Sequence, residues 1–299
     1  MKKIYEMPSS CGHDSRELVE IYWDDPKSLL TVKKSNADKI TAKIVRFLVE
    51  YTKKSGTNGY VIGLSGGIDS SIAAVLAAMA VGPERVHGML IPSKFTSQSH
   101  IDDALLLAKL HGIEVNDYEV IRENFDATID LTMLMTGVDK SHPNYKLLIG
   151  NNHARERMKI LRGKAASLNC LVLGTTNLTE AWLGYATMAG DGYKGVDVEP
   201  IQRLPKTSER EYCRIVGIPE QIITKAPTAG LWENQTDETE IGMTYENIDL
   251  VMTGYMLGFE KTNIESITGI PLEAIEKIIK RHESNLFKAL PEPFPELGF

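Results

Sequence analysis

The chain has 299 residues, a length that corresponds to one large domain or two small ones. It carries 33 basic and 40 acidic residues, for a net charge of −7, and 42% of its residues are hydrophobic. This composition argues against disordered, collagen-like and small disulfide-stabilised proteins. The acidic balance disfavours broad nucleic-acid binding through phosphate neutralisation, but it allows a small anionic substrate in a local basic pocket.

The chain has no long apolar run and no cluster of cysteines. Its longest unbroken apolar run, residues 72–81, has ten residues, whereas a membrane span needs about 18 or more. The N-terminus has no apolar segment of the signal-peptide type. Cys11, Cys170 and Cys213 lie far apart and form no CxxC pair. We therefore expect a cytoplasmic protein without membrane contact, zinc cluster or disulfide framework.

Hydrophobic periodicity divides the chain into an extension and one domain. Residues 1–35 are mixed and polar and predict an N-terminal extension to a single domain over residues 36–299. Asn36 is a candidate N-cap for the first helix of that domain. The predicted strands cover residues 60–64, 86–91, 114–120 and 170–174, and the predicted helices cover 36–51, 71–81, 101–110 with Gly112 as its stop, 151–168, a segment near 179, 245–255 and 271–289.

Strands that alternate with helices predict right-handed βαβ crossovers. We therefore expect an α/β fold with a doubly wound, mostly parallel, five-stranded sheet, helices on both of its faces, and extra helices at the C-terminal end. Ligands of such folds bind at the carboxyl ends of the strands. This rule points to the turns after Leu64 and Leu173.

The turn after Leu64 reads SGGIDS and opens a helix. Gly66 and Gly67 allow the backbone to approach an anion closely, and the amides at a helix start bind phosphate. Ser65 and Ser70 add hydroxyl donors. Asp69 repels phosphate, so a divalent ion such as Mg²⁺ between the two would reconcile them. The structural alternative is a glycine-rich turn with capping side chains.

The SGGIDS segment resembles the SGGxDS loop of the ATP pyrophosphatases, which cleave ATP to AMP and pyrophosphate while adenylating a substrate. It differs from the Walker loop and from the dinucleotide GxGxxG pattern. The loop alone leaves open synthetases for GMP, asparagine, argininosuccinate and NAD, as well as tRNA-modifying enzymes. The resemblance implies an adenine nucleotide alpha-hydrolase-like fold.

The turn after Leu173 reads GTTNLTE and resembles the GTxNxSE motif of NAD synthetases, with Thr179 in the serine position. This resemblance implies that Thr175 binds ATP and that Glu180 shares a metal ion with Asp69. The structural alternative is a helix start that Asn177 or its neighbour caps.

Two stretches resemble family segments on the side of the second substrate. GYATMAGDGYKGVD resembles GYxTxxGDGxxD, and NNHARERM resembles NxxARxRM. The resemblance implies that Asn151, Arg155, Asp191 and Asp197 bind deamido-NAD. Asn151 and Arg155 share a helix face at i and i+4, and a guanidinium suits carboxylate or phosphate. The alternatives are a solvated basic helix face and Asx-turns at the aspartates.

Further stretches follow the same family in the same order. LPK, PTAGL and DETEIG correspond to its LxK, P[ST]AxL and DExxxG segments, so Lys206 is expected to contact ATP phosphates and Thr228 to bind ATP. The resemblance implies that residues 91–99 face the adenine. Near the C-terminus the family's HKRxxP element is reduced to Lys288. In all, the resemblance spans residues 36–290.

The resemblance implies a ligase that forms a C–N bond in the last step of NAD biosynthesis. The nicotinate carboxylate of deamido-NAD attacks the α-phosphorus of ATP, and ammonia then converts the acyl-adenylate to NAD and AMP. Asp69, Lys206 and Glu180 are the expected catalytic residues, with Asp69 and Glu180 holding Mg²⁺.

Three further expectations follow from the resemblance. Glutamine-dependent members carry an additional amidase domain for which the chain has no room, so we expect the ammonia-dependent type. Members are typically homodimers. Another ATP pyrophosphatase, such as a tRNA-modifying enzyme or another amidoligase, and a silent nucleotide-binding regulator remain alternatives. The net charge of −7 and the NAD-type motifs argue against an RNA substrate.

Overall fold

The computed structural model of the chain describes residues 2–6, 18–22, 26–228, 236–291 and 293. The strands are β1 (Lys2–Glu6), β2 (Leu18–Tyr22), β3 (Tyr60–Gly63), β4 (Val86–Met89), β5 (Glu114–Val115) and β6 (Leu171–Val172). The α-helices are α1 (Pro26–Leu29), α2 (Lys34–Ser55), α3 (Ile68–Val81), α4 (Gln98–His111), α5 (Glu119–Met135), α6 (Tyr145–Leu168), α7 (Leu178–Leu183), α8 (Lys206–Val216), α9 (Glu220–Ile223), α10 (Asp237–Ile241), α11 (Tyr245–Met256), α12 (Lys261–Thr268) and α13 (Leu272–Asn285), and short 3₁₀ helices cover Pro83–Arg85 and Leu286–Ala289.

A parallel sheet with the strand order β5-β4-β3-β6 forms the centre of the fold. The chain runs from β3 outward to β4 and β5 and then returns to the opposite side of β3 with β6. Such a reversal opens a crevice at the carboxyl ends of the strands. The α/β fold is thereby confirmed. Within the described residues the sheet has four strands rather than five, because beyond β6 only a single parallel bridge forms, between Leu173 and Val198.

Helices cover both faces of the sheet, as predicted. On β3, Tyr60 and Ile62 pack into one core with α2, α3 and α8, whereas Val61 points into a second core with α5 and α6. This alternation follows from the period of two along a strand. Residues 72–77 of α3 are completely buried, which explains why this helix is apolar on every side.

The C-terminal helices form a third hydrophobic core. Helices α11, α12 and α13 pack against one another and against α7. Trp182 of α7 stacks on His282 of α13 at a ring distance of 4.3 Å, and the His282 ring contacts the Trp182 carbonyl at 2.6 Å. The extra C-terminal helices are thus confirmed, and α7 connects them to the central sheet.

Several helix ends and one strand differ from the sequence predictions. Helix α2 begins at Lys34, so Asn36 lies in its first turn, and the N-cap position falls to Lys33 without a side-chain hydrogen bond. The predicted strand over residues 114–120 ends at Val115, and α5 begins at Glu119. Gly112 ends α4 with a φ of 67°, as predicted.

Several elements were not predicted, among them α5, α8, α9, α10, α12 and the pair β1 and β2. Helix α8 follows the LPK stretch directly. Strands β1 and β2 pair antiparallel within the segment predicted as an extension. No helix in the described part of the chain is long and apolar enough to span a bilayer. Among the described residues, Cys170 and Cys213 are free thiols.

Candidate active site

A cavity of about 590 Å³ opens at the carboxyl ends of β3, β4 and β6. It lies where the strand order reverses, which is the position that doubly wound folds use for ligands. The segments around it include the SGGIDS loop, the loop after β4, the turn after β6, the start of α8 and the middle of α6. The two turns singled out from the sequence therefore border one cavity.

The SGGIDS loop is folded by its own polar groups. Gly66 has a φ of 75°, and a Cβ there would lie 2.1 Å from the His100 carbonyl oxygen, so only glycine fits. The Ser65 and Ser70 hydroxyls are 3.0 Å apart, and the Gly67 amide donates to Ser65 Oγ. No side chain caps the start of α3, so its positive end is available to an anion.

Asp69 joins this loop to the other two motifs. Its Oδ1 accepts a hydrogen bond from Asn177 Nδ2 at 2.7 Å, and its Oδ2 contacts Lys206 Nζ. Burial alone would raise the pKa of Asp69, but the charge and hydrogen bond of Lys206 more than offset this, so the pKa lies below its ordinary value. The structure thus brings three separate motifs to one carboxylate.

Lys206 is only 1% exposed and lies on the cavity wall. Besides Asp69, its Nζ lies 3.3 Å from Glu209 Oε2. Burial lowers the pKa of Lys206, but Asp69, Glu209 and Glu180 together raise it above its ordinary value. In this structure the lysine is therefore a charged group held by carboxylates beside the position expected for phosphate.

Glu180 lines the cavity and also caps its own helix. Its amide donates to Asn177 Oδ1 at 2.9 Å, and its Oε2 accepts from the Asn177 amide at 3.2 Å, which is a complete capping box. The capping interpretation of the motif after β6 is therefore confirmed, and the metal-binding role of Glu180 stays a prediction. Burial, and next the charge of Asp69, raise the pKa of Glu180 well above its ordinary value.

The two neighbouring carboxylates, Asp69 and Glu180, match the donor set of Mg²⁺. Their mutual repulsion would be relieved by a cation, and Mg²⁺ takes one or two carboxylates and completes its shell with water and phosphate oxygens. No group of three or more histidine, cysteine, aspartate or glutamate ligands forms in the described part of the chain. The two carboxylates fit a cation that completes its shell with phosphate and water oxygens.

A buried aspartate that the sequence analysis missed connects the C-terminal core to Lys206. Asp249 of α11 is completely buried. Its Oδ1 accepts from Thr179 Oγ1 at 2.5 Å, and its Oδ2 accepts from the Thr207 amide at 2.8 Å. Thr179 Oγ1 also accepts from the Lys206 amide at 2.9 Å. The start of α8 is thus held by two side chains, of which Thr179 belongs to the GTTNLTE motif and Asp249 to none of the motifs.

Most of the other residues expected to bind ATP also reach the cavity. Its lining includes Ser65, Gly67, Ser70, Thr175 and Thr228. The loop after β4 lines it as well, which agrees with the expected position of residues 91–99. Residues 229–231, which complete the PTAGL stretch, lie outside the described residues.

The four residues expected to bind deamido-NAD are dispersed. Asp191 lines the cavity, and its Oδ1 accepts from the Thr187 amide at 2.8 Å. Asn151 Oδ1 accepts from the Thr187 hydroxyl at 2.9 Å, outside the cavity lining. Arg155 is exposed, and its Nε donates to the Met188 carbonyl at 3.3 Å.

Asp197 lies on the far side of the same segment. It pairs with Arg162 at 2.6 Å and accepts from the Val172 amide at 2.8 Å. Its contacts attach residues 185–197 to β6 and α6 and do not face the cavity. Lys288, the remnant of the C-terminal element, donates to the Gly184 carbonyl at 2.7 Å.

Arg157 is the guanidinium that lines the cavity. Its Nε donates to the Ile91 carbonyl at 3.2 Å, and its guanidinium lies 5.2 Å from the centre of the Phe125 ring. It is two residues from Arg155, in the same motif, so it points in a different direction around α6. The motif could have identified it, but the choice between the two arginines needs the rotation of the helix.

Comparisons with known proteins agree with this geometry. Residues 40–291 match the family model described as NAD synthase. The chain is 41% identical over 261 residues to the NH(3)-dependent NAD(+) synthetase of Methanosarcina acetivorans, a match that covers 87% of this chain and 98% of that protein.

Two solved structures share the fold over most of the chain. The NMN synthetase from Francisella tularensis has a TM-score of 0.73 at 31% identity, over 87% of this chain and 99% of its own. The NH3-dependent NAD synthetase from Campylobacter jejuni has a TM-score of 0.68 at 27% identity, with the same coverage.

Proposed function

The chain belongs to the NAD synthase family, and from this premise we propose that it joins deamido-NAD to ammonia at the expense of ATP, yielding NAD, AMP and pyrophosphate. One observation carries the proposal: Asp69, Glu180 and Lys206, from three separate motifs, meet in a single cavity at the reversal of strand order. An enzyme that splits ATP into AMP and pyrophosphate needs such a concentration of charge next to a phosphate-binding helix start.

The first step adenylates the acid. A nicotinate carboxylate oxygen attacks the α-phosphorus of ATP, and the bond from that phosphorus to the bridging oxygen of pyrophosphate breaks. The start of α3 and the hydroxyls of Ser65 and Ser70 bind the departing pyrophosphate, and Lys206 adds a positive charge on the cavity wall. Because charge builds up on the leaving group, donors fixed in advance lower the barrier.

The second step transfers nitrogen. Ammonia attacks the acyl carbon, a proton leaves the nitrogen, and the bond to AMP breaks, so the amide forms without a covalent intermediate on a protein side chain. The chain's residues therefore act by positioning and by charge. The ammonia-dependent relative from Methanosarcina acetivorans, matched over 98% of its length, supports ammonia as the nitrogen source.

Asp69 and Glu180 would hold Mg²⁺ bound to ATP. When bound, this ion neutralises phosphate charge and so makes the α-phosphorus easier to attack. Asn177 contacts both carboxylates, because its side-chain Nδ2 donates to Asp69 Oδ1 and its backbone amide donates to Glu180 Oε2. Thr175 and Thr228 border the remaining part of the ATP position.

The acid substrate is proposed to enter beside α6. Asp191 and Arg157 present a carboxylate and a guanidinium to the cavity there. Asn151 and Asp197 act by holding residues 185–197, through Thr187 and Arg162 respectively. Arg155 reaches the substrate from the exposed face of the same helix.

A homodimer would place a partner against this exposed face. Large apolar side chains are exposed on α5 and α6, namely Leu131, Leu134, Met135 and Leu147, with Leu134 76% and Met135 78% exposed. Light scattering of the wild type and of Leu134→Asp tests this assembly, and a monomeric wild type would refute it.

The free thiols Cys170 and Cys213 support a cytoplasmic location.

A second candidate substrate is the acid of the mononucleotide, nicotinate mononucleotide. One observation favours it: the solved NMN synthetase has a higher TM-score and a higher identity to this chain than the solved NAD synthetase from Campylobacter jejuni. Both acids carry the same nicotinate carboxylate, so the chemistry of adenylation is unchanged. Deamido-NAD carries an additional adenosine monophosphate part, which the site beside α6 must accommodate and which nicotinate mononucleotide lacks.

The deciding experiment measures pyrophosphate release by the purified protein with ATP and Mg²⁺. Deamido-NAD and nicotinate mononucleotide are compared as acids, and ammonium and glutamine as nitrogen sources. We expect deamido-NAD with ammonium to give the highest kcat/KM and NAD as the product. Equal turnover with glutamine would contradict ammonia dependence, preference for the mononucleotide would favour the second candidate, and release without either acid would indicate another ATP pyrophosphatase.

A further inference from the structure

Glu209 is a buried acid to which none of the recognised motifs gives a role. It lies one helical turn after Lys206 on α8 and is completely buried. Neither of its carboxyl oxygens has a hydrogen-bond partner among the described residues. An unsatisfied buried carboxyl group costs stability, so its presence beside the cavity calls for a functional explanation.

Glu209 lies beside the ammonium group of Lys206 and the carboxylate of Asp69. Glu209 Oε2 lies 3.3 Å from Lys206 Nζ, on the same helix at i and i+3. Lys206 Nζ contacts Asp69 as well. The lysine is therefore held between two carboxylates that come from different elements of the fold.

These two carboxylates differ in what else they do. Asp69 lies on the SGGIDS loop, accepts from Asn177 and faces Glu180 and the cavity. Glu209 is attached to the same helix as the lysine and not to the SGGIDS loop. It therefore contacts Lys206 from an element other than the loop that is expected to bind phosphate.

We propose that Glu209 is a positioning residue, which holds the Lys206 ammonium against the cavity wall so that it meets the pyrophosphate end of the nucleotide. This inference rests on the proposed function, in which Lys206 stabilises the leaving pyrophosphate. Without Glu209, the flexible lysine side chain follows Asp69 alone. Its position then varies with whatever Asp69 binds, and less of its charge is directed at pyrophosphate.

The binding test compares two substitutions of similar size. Glu209→Gln keeps an oxygen near Nζ, whereas Glu209→Met fills the same space without a polar atom. Calorimetric titration with inorganic pyrophosphate is expected to show a roughly tenfold weaker affinity for Glu209→Met and a loss below about threefold for Glu209→Gln. AMP, which lacks the pyrophosphate end, is expected to bind all forms within about twofold.

The matched control is Glu211→Gln on the same helix, whose carboxylate is 48% exposed and pairs with Arg214. It is expected to bind pyrophosphate as the wild type does. The melting temperature of Glu209→Met is measured alongside, because removing one partner of a buried ion pair is destabilising, although Lys206 keeps Asp69 as a partner; the titrations are made below the temperature at which this variant begins to unfold. Wild-type pyrophosphate affinity in Glu209→Met, or equal weakening of pyrophosphate and AMP, would overturn the proposal.

A double-mutant cycle tests whether Glu209 acts through Lys206. In a Lys206→Met background, Glu209→Met is expected to add less than a twofold further loss of pyrophosphate affinity. Independent, additive losses would overturn the proposal. If the wild type binds pyrophosphate but does not convert deamido-NAD, the proposed function fails while these titrations still decide the role of Glu209.

Discussion

The two ends of the cavity are built in different ways. At the phosphate end, Asp69, Asn177, Glu180 and Lys206 form one continuous network of hydrogen bonds and ion pairs. At the other end, beside α6, the polar residues of the motifs mostly contact the protein's own backbone and side chains. The first end is complete within one chain, whereas the second offers only a sparse set of groups to a substrate.

The difference follows from where each motif lies in the fold. Strands β3 and β6 are parallel neighbours, with Tyr60 opposite Leu171 and Val61 opposite Val172. The loops that follow them must therefore leave the sheet side by side. Residues on α6 have no such constraint, because the direction of each side chain depends on how the helix is rotated against the sheet.

The largest expected effect is at the phosphate end. Asp69→Asn keeps the size of the side chain but removes the charge that pairs with Lys206 and, in the proposed function, binds Mg²⁺. We expect turnover to fall roughly 1,000-fold or more, because the variant loses charge stabilisation of the leaving group. Pyrophosphate release with saturating ATP and deamido-NAD measures it.

Circular dichroism and the melting temperature of the same variant serve as its control, since a folded but inactive protein isolates the chemical role. A folded Asp69→Asn protein that retains turnover within tenfold of the wild type would show that the charge of Asp69 is not needed for catalysis at the phosphate end. The metal assignment would fail with it.

The sequence predicted that the motifs meet at this end, because the signals for its turns are local. The glycines, the helix start and the apolar run before it all occur within about ten residues of the sequence. The parallel order of the strands then brings the two turns to the same edge of the sheet. Helix α8 was missed because its buried face carries Lys206, Ser208 and Glu209 beside Tyr212 and Cys213. A search for apolar periodicity does not detect a face that buries charge.

Helix α5 was missed for another reason. Phe125, Ile129 and Met133 are buried at a regular spacing of four residues, which is a helical signal that the sequence contains. The predicted strand over residues 114–120 was extended into the start of this helix. Val120 is 62% exposed, so it belongs to the outer face of a helix and not to a buried strand.

A smaller effect is expected at the end beside α6. Arg157 lines the cavity and Arg155 does not, although both belong to one motif. We expect Arg157→Met to lower kcat/KM for deamido-NAD roughly 100-fold and Arg155→Met roughly tenfold or less, because a guanidinium inside a cavity is less screened by water. Steady-state kinetics with each substrate varied in turn measures both.

Arg157→Lys keeps the charge but loses the planar fork and its contact with Phe125, so it serves as the matched variant and should recover part of the loss. If Arg155→Met were the more damaging substitution, the substrate would bind mainly on the exposed face of α6. The two ends of the cavity would then belong to two different surfaces of the chain.

The smallest expected effect concerns stability at the phosphate end. Glu199 is half-buried behind the turn after β6, where it accepts hydrogen bonds from the Thr176 amide at 3.1 Å and the Thr176 hydroxyl at 2.9 Å. A Cβ on Gly174 would lie 2.3 Å from Glu199 Oε2, so a larger residue there would displace this carboxyl group. Burial raises the pKa of Glu199 to about 7, although the bonds from Thr176 oppose this.

Because the folded protein holds this proton more tightly than the unfolded chain, Glu199 lowers the free energy of unfolding as the pH rises from about 4.5 to about 7. Well below pH 4.5 the Glu199 carboxyl is protonated in both the folded and the unfolded state, so it costs no stability. Above about pH 7 it is ionised in both states, and the loss of stability stays constant. Glu199→Gln stays neutral throughout. The variant should therefore gain about 1–3 kcal/mol of stability over the wild type between pH 4.5 and pH 8. Urea unfolding of both proteins at the two pH values measures the change. An equal difference in the free energy of unfolding at both pH values would mean that Glu199 does not hold its proton more tightly in the folded protein.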